Sequence, residues 1–272
     1  MTIIDIKGVI TSEDYAWFYE FMGQQFTTSE RFRAQLEAAT DDVVIEINSV
    51  GGMIAAGAEI YEAIRGYKGN IECHVVGQAA SAASVIVCAA KSSISPMGYL
   101  FLHNCLTTVD GNHNDMREAA QMLESIDENI MNAYRAKTGM TDTQIYRLME
   151  RNTTLSAEKA VELGFIDRIS DGAEDNATTN RGIIAGIAAA APGFIDPMAM
   201  DADRLAAMRK LYEQSKASCE GGETTMEIED MQIAEDQAIE AEAEETAEEP
   251  VADEAEEAEA AEAEGAEDAA EG

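Results

Sequence analysis

Residues 43–77, VVIEINSVGGMIAAGAEIYEAIRGYKGNIECHVVG, decide the fold. VVIEIN (43–48) is rich in β-branched residues and reads as a strand that stops at the punctuation SVGG. MIAAGAEIYEAIRG then places apolar residues at helical spacing, and NIECHVVG reads as the next strand. Strand alternating with helix implies an α/β domain with a largely parallel sheet.

The alternation extends in both directions. IIDIKG opens the chain as a short strand, and a helical stretch is expected from about Ser12 to Ala39. Downstream, VVGQAASAASVIVCAA (75–90) passes from strand into a helix of small residues, and GYLFLHN (98–104) is another strand. A long helix follows, with Met116, Leu123, Ile126, Ile130 and Tyr134 along one stripe. Two shorter helices and the strand FIDRI (165–169) complete a domain over residues 1–171. Beyond it, residues 172–197 read as a linker with an apolar segment, and 198–216 as an amphipathic helix. Residues 217–272 are an acidic Ala/Glu-rich low-complexity tail, expected to be disordered because it has little to bury and its like charges repel.

The formal charge of −35 is unevenly spread. Through Asp171 there are 13 basic against 24 acidic residues (−11), which leaves 5 against 29 (−24) for the rest. Residues 217–272 hold 23 carboxylates and no basic residue, so nucleic acid is not an expected partner. Four cysteines (Cys73, Cys88, Cys105, Cys219) show no CxxC spacing and read as free thiols in a reducing compartment. The first residues, MTIIDIKGVI, lack the basic and apolar regions of a signal peptide, and no run is long enough to span a bilayer. A cytoplasmic protein with no membrane partner is expected.

Three points carry chemistry. INSVGG (47–52) ends a strand in two glycines, where backbone N–H groups can approach a ligand. In GQAASAAS, Ser81 stands where strand gives way to helix, flanked by small residues that leave its hydroxyl accessible. Alone, Ser81 would read as a helix N-cap. LFLHN places His103 at the end of an apolar strand, and a serine nucleophile needs such a base. A third group to orient the imidazole and two donors for the oxyanion complete that logic.

The segments INSVGG, GQAAS, LFLHN and TLSAEKAVELGFIDRI, in this order, resemble the ClpP family of serine peptidases, from about Ile3 to Ile169. The resemblance implies a ClpP/crotonase-like spiral of ββα units with a long handle helix. It also implies Ser81 as nucleophile, His103 as general base, and the amides of Gly52 and Ala82 as oxyanion donors. Ser84 is then left a helix-surface or packing role. A substrate peptide would lie extended along Gly51, Gly52, Met53, Asn104 and Cys105. No metal and no cofactor are implied. The expected partners are protein substrates and further copies of the chain in heptameric rings, two of which can stack.

Three departures qualify this. The family's third member is an Asp four residues before the serine of the SAEKA-like segment, and position 152 is Asn. Asn152 is expected to orient His103 weakly, with Glu150 as the alternative, so a slow or conditionally active enzyme is expected. The leader segment that meets an unfoldase is not seen ahead of the first strand, which puts coupling to a Clp ATPase in doubt. The short interval from Ser81 to His103 and the acidic tail resemble phage-encoded ClpP-like head maturation proteases, acting on capsid or scaffold proteins inside a procapsid. The rivals are an ATP-dependent proteolytic subunit, a catalytically silent shell with a scaffolding tail, and an acyl-CoA enzyme of the crotonase superfamily. The Ser81–His103 pair argues against the last.

Overall fold

The computed structural model describes residues 1–170, 197 and 200–220. Eight strands form one sheet. Strand β1 (Thr2–Thr11) leads into α1 (Glu13–Phe21), β2 (Phe26–Thr28), α2 (Ser29–Ala38), β3 (Val43–Gly52) and α3 (Ile54–Gly66). Then come β4 (Ile71–Ala80), α4 (Ala82–Val87), β5 (Lys91–Ile94), β6 (Tyr99–Leu102) and α5 (His113–Thr138). The set closes with α6 (Asp142–Glu150), β7 (Thr153–Ser156), α7 (Ala157–Glu162), β8 (Arg168–Ile169) and α8 (Ala202–Glu220). The main path runs β2-β1-β3-β4-β5-β8, with β6 paired to β4 and β7. All pairings are parallel except β6 with β7. This is the α/β architecture that the strand–helix alternation predicts.

The core lies against one face of the central strands, while Ile3 and Asp5 on the other face of β1 are exposed. Ile4 and Ile6 of β1 stand opposite Ile45 and Ile47 of β3, and all four are fully buried. Helix α3 seats Ile60 and Ile64 in the same core. Its Gly57 lets α3 approach α4 closely, since a Cβ there would lie 3.1 Å from the Ala82 Cβ. Every residue of α4 is buried, which accounts for the run of small side chains.

Some elements differ from expectation. The stretch from Ser12 to Ala39 is not one helix. Gly23, at φ +62, turns the chain out of α1, and Phe26–Thr28 pairs with the end of β1. Thr28 then caps α2, accepting from the Arg31 N–H. Strands β5 and β7 were not expected, because KSSI and TTLS are too short and polar to announce themselves. FIDRI is strand only at Arg168 and Ile169, while Phe165 and Ile166 turn inward and donate to the Ala160 carbonyl.

One compact unit runs from Met1 to Tyr212 and a second from Glu213. Within the first, Met200, Leu205 and Met208 pack against a small cluster of Val9, Phe18 and Tyr19. The linker expected over 172–197 lies outside the described residues apart from Pro197, and the tail over 217–272 apart from the end of α8. Among the described residues no helix is long and apolar enough to cross a membrane.

Candidate active site

Ser81 sits on a sharp turn between β4 and α4. Its backbone adopts φ 54 and ψ −125, one of only two positive-φ non-glycine residues described. Such a conformation costs free energy and persists only where its surroundings enforce it. The Ser81 N–H donates to the Phe101 carbonyl at 2.9 Å, pinning the turn to β6. Ser81 holds the N-cap position of α4, but its hydroxyl makes no cap bond there. The reading of Ser84 is corrected in part: it is fully buried rather than on a helix surface. Its hydroxyl donates to the Ser81 carbonyl at 2.6 Å and lies 2.7 Å from the Tyr134 hydroxyl. A hydroxyl carries one proton, so Tyr134 is the donor to Ser84.

Gly51 abuts this turn, while Gly52 lies against the Ile10 backbone of β1. A Cβ on Gly51, whose φ is +87, would lie 2.6 Å from both the Ala80 carbonyl oxygen and the Ser81 Cβ, and 2.9 Å from the Ala82 nitrogen. Only glycine therefore fits between β3 and the serine. Gly51 N–H is occupied by the Ser49 hydroxyl at 3.1 Å. The β3–β4 pairing ends at Ser49↔Ala79, whereas the β1 side continues to Ile10↔Gly52. Residues 50–53 thus border an open sheet edge facing the turn. Ala82 is the first residue of α4, where the helix leaves its amides unpaired.

His103 follows β6, its ring stacked on Phe101 at 5.3 Å between centroids. A cleft of about 710 Å³ is lined by Gly51, Gly52, Met53, Ser81, Ala82, His103, Asn104 and Cys105 among others. The structure therefore brings together these eight sequence-selected residues; neither Ser81 nor His103 makes a side-chain hydrogen bond among the described residues. Burial lowers the His103 pKa, and the nearby charge of Asp127 works the other way, so the neutral imidazole prevails at neutral pH. Asn104 donates to Glu150 at 3.4 Å, while its own carbonyl oxygen is buried without a partner.

Asn152 lies one step beyond the Leu102↔Thr153 pair that ends the β6–β7 ladder, level with His103 in that register, but it is not among the residues that line the cleft. Its backbone is left-handed (φ 50), its N–H donates to Met149 and its side chain is exposed. That is the usual behaviour of an Asn ending a helix. Glu150 accepts from Tyr146 as well as Asn104.

A residue the sequence reasoning passed over is Asp127 of α5. Its carboxylate accepts from the Cys105 N–H at 2.7 Å, two residues beyond His103. Burial raises the Asp127 pKa, opposed by the Cys105 N–H and by His103, with Glu150 adding to the rise. The signal for it was present. Leu123, Asp127, Ile130 and Tyr134 follow helical spacing, so a carboxylate interrupts the apolar stripe. Among the described residues no cluster of three or more His, Cys, Asp or Glu side chains is placed to hold a metal ion.

A half-buried serine on a strained strand-to-helix turn, with a histidine in the same cleft and Gly51 against the turn, is the arrangement of a serine hydrolase on an α/β scaffold. Comparison with known proteins narrows this. The Clp protease family model matches residues 25–173, more than half the chain, so the chain belongs to the Clp protease family and is a serine peptidase. It is 30% identical over 132 residues to an ATP-dependent Clp protease proteolytic subunit 2 of Tropheryma whipplei, covering 47% of this chain and 73% of that one. It is 31% identical over 131 residues to an ATP-dependent Clp protease proteolytic subunit of Dehalococcoides mccartyi, covering 47% of this chain and 66% of that one.

Proposed function

We propose that the chain is an endopeptidase that cleaves extended polypeptide segments, with Ser81 as nucleophile and His103 as general base. The observation that carries this is the Ser81 turn, held at φ 54 with an uncapped hydroxyl facing the cleft it shares with His103. Ser81 Oγ attacks the scissile carbonyl while His103 takes its proton, and the imidazolium then protonates the leaving amine. The amides of Gly52 and Ala82 hold the oxyanion. The open edge at residues 50–53 takes the peptide as an added strand, and Asn104 and Cys105 border it on the other side. Asn152, level with His103 in the β6–β7 register, contributes a neutral amide to its orientation. The test is the intact mass after a fluorophosphonate probe. A single adduct lost in Ser81→Ala is expected, and an unmodified wild-type chain would overturn the reading.

For biological setting, the interval between Ser81 and His103 and the acidic tail support a head maturation protease acting on capsid or scaffold proteins in a host cytoplasm. The names of the two relatives support a second reading, a proteolytic subunit in homo-oligomeric rings working with a Clp ATPase. Loss of tail or capsid-protein processing in Ser81→Ala favours the first; ATP-dependent degradation of a folded substrate with an added Clp ATPase favours the second.

A further inference from the structure

We infer that Asp127, on the long helix α5, is the positioning carboxylate for His103 and supplies the negative charge that position 152 lacks. The inference rests on the reading of Ser81 and His103 as nucleophile and base. A base that becomes imidazolium during the reaction is stabilised by a fixed anion beside it, and an amide cannot replace that charge. Asn152 has only an amide to offer, and it is an exposed residue at a left-handed backbone position. Asp127 is placed otherwise. Its bond from the Cys105 N–H at 2.7 Å ties the carboxylate to the chain just past His103. Leu123, Ile126, Ile130 and Tyr134, on the same face of α5, line the cleft that holds Ser81 and His103. Half-burial there strengthens the charge's influence over what it would be in open water.

The other ionisable groups around His103 do not serve. Glu150, at the end of α6, is held by Asn104 and the Tyr146 hydroxyl, and its charge acts on Asp127. The Cys105 thiol has its pKa raised, burial first and Asp127 second, and so stays neutral. The faces of Phe101 and of Asn152 bring no charge. Asp127 is also the charge that acts on His103, and His103 on Asp127.

Asp127→Asn separates charge from structure, because Asn keeps an oxygen to accept from Cys105 N–H. In the full chain, the rate of Ser81 modification by a fluorophosphonate is followed against pH. A neighbouring anion favours imidazolium and raises the His103 pKa, so losing it moves the midpoint of the rate profile to lower pH. Asp127→Asn is expected to show that shift with a plateau slower by on the order of 10²- to 10⁴-fold, and Asp127→Glu to recover part of both. An unchanged rate and midpoint in Asp127→Asn would reduce Asp127 to a clip for Cys105 and overturn the inference. The His103 imidazole is titrated in parallel by NMR, with His103→Gln for assignment. Should the wild type take no adduct, the nucleophile reading falls, and this titration alone decides Asp127: a lower midpoint in Asp127→Asn supports its role and an unchanged one overturns it.

Discussion

Tyr134 is buried, and its hydroxyl bonds Ser84, which in turn holds the Ser81 carbonyl. Burial raises the Tyr134 pKa, so the phenol remains a donor throughout the accessible pH range. The relay therefore runs from α5 to the serine turn and fixes the carbonyl of a strained residue. Tyr134→Phe removes the donor while keeping the ring against Phe165. It is expected to cost about 1 kcal/mol, read as a lowered midpoint in urea, and to slow Ser81 modification several-fold; an unchanged rate would show that the turn needs no help from α5. Much at this scale was legible in the sequence, because Ser81, His103 and the glycine pair stand at element ends where side chains are free to react. Asp127 was less so: whether one carboxylate on a long helix turns inward depends on how that helix docks.

The strand ends are what assemble the cleft. β3 outruns its pairing with β4, and at its tip Gly51 fills the space beside the serine turn while Gly52 lies against the Ile10 backbone of β1. Gly51→Ala forces a Cβ into three backbone and side-chain atoms at a φ that only glycine adopts readily. The expected cost is about 1 to 3 kcal/mol of strain, and the turn must shift by part of an ångström. Displacement of that size costs on the order of 10² in rate. Thermal unfolding and the fluorophosphonate rate measured together check this, and a rate within twofold of wild type would show that the turn tolerates the shift. The long elements announced themselves through β-branched runs and 3.6-residue stripes. β5 and β7 did not, since four residues hold too little pattern, and their strand state comes from the partners they pair with.

Across the whole molecule, the alternation of strand and helix carried the α/β class, because neighbouring parallel strands need a crossover between them and a helix supplies it. What no local pattern shows is where a late helix returns. Within the unit ending at Tyr212, α8 packs against α1: Tyr212 lies 5.9 Å from Trp17 between ring centroids, its hydroxyl donates to Glu20 at 2.8 Å, and Arg209 sits 5.7 Å over the Trp17 ring. Trp17 is the single tryptophan of the chain, so tryptophan emission reports the surroundings of this one indole. Tyr212→Ala removes the ring and the hydroxyl together, at a cost of about 0.5 to 1.5 kcal/mol for the aromatic pair. The emission of Trp17 is expected to move to longer wavelength as water reaches the indole, with the far-ultraviolet dichroism of the sheet and α1 to α7 unchanged. Because Trp17 lies outside the cleft lining, the Ser81 modification rate should stay within twofold. An unshifted emission would mean that α8 does not rest on α1 in solution, and a large fall in rate would mean that its docking also holds β1 against the glycine turn.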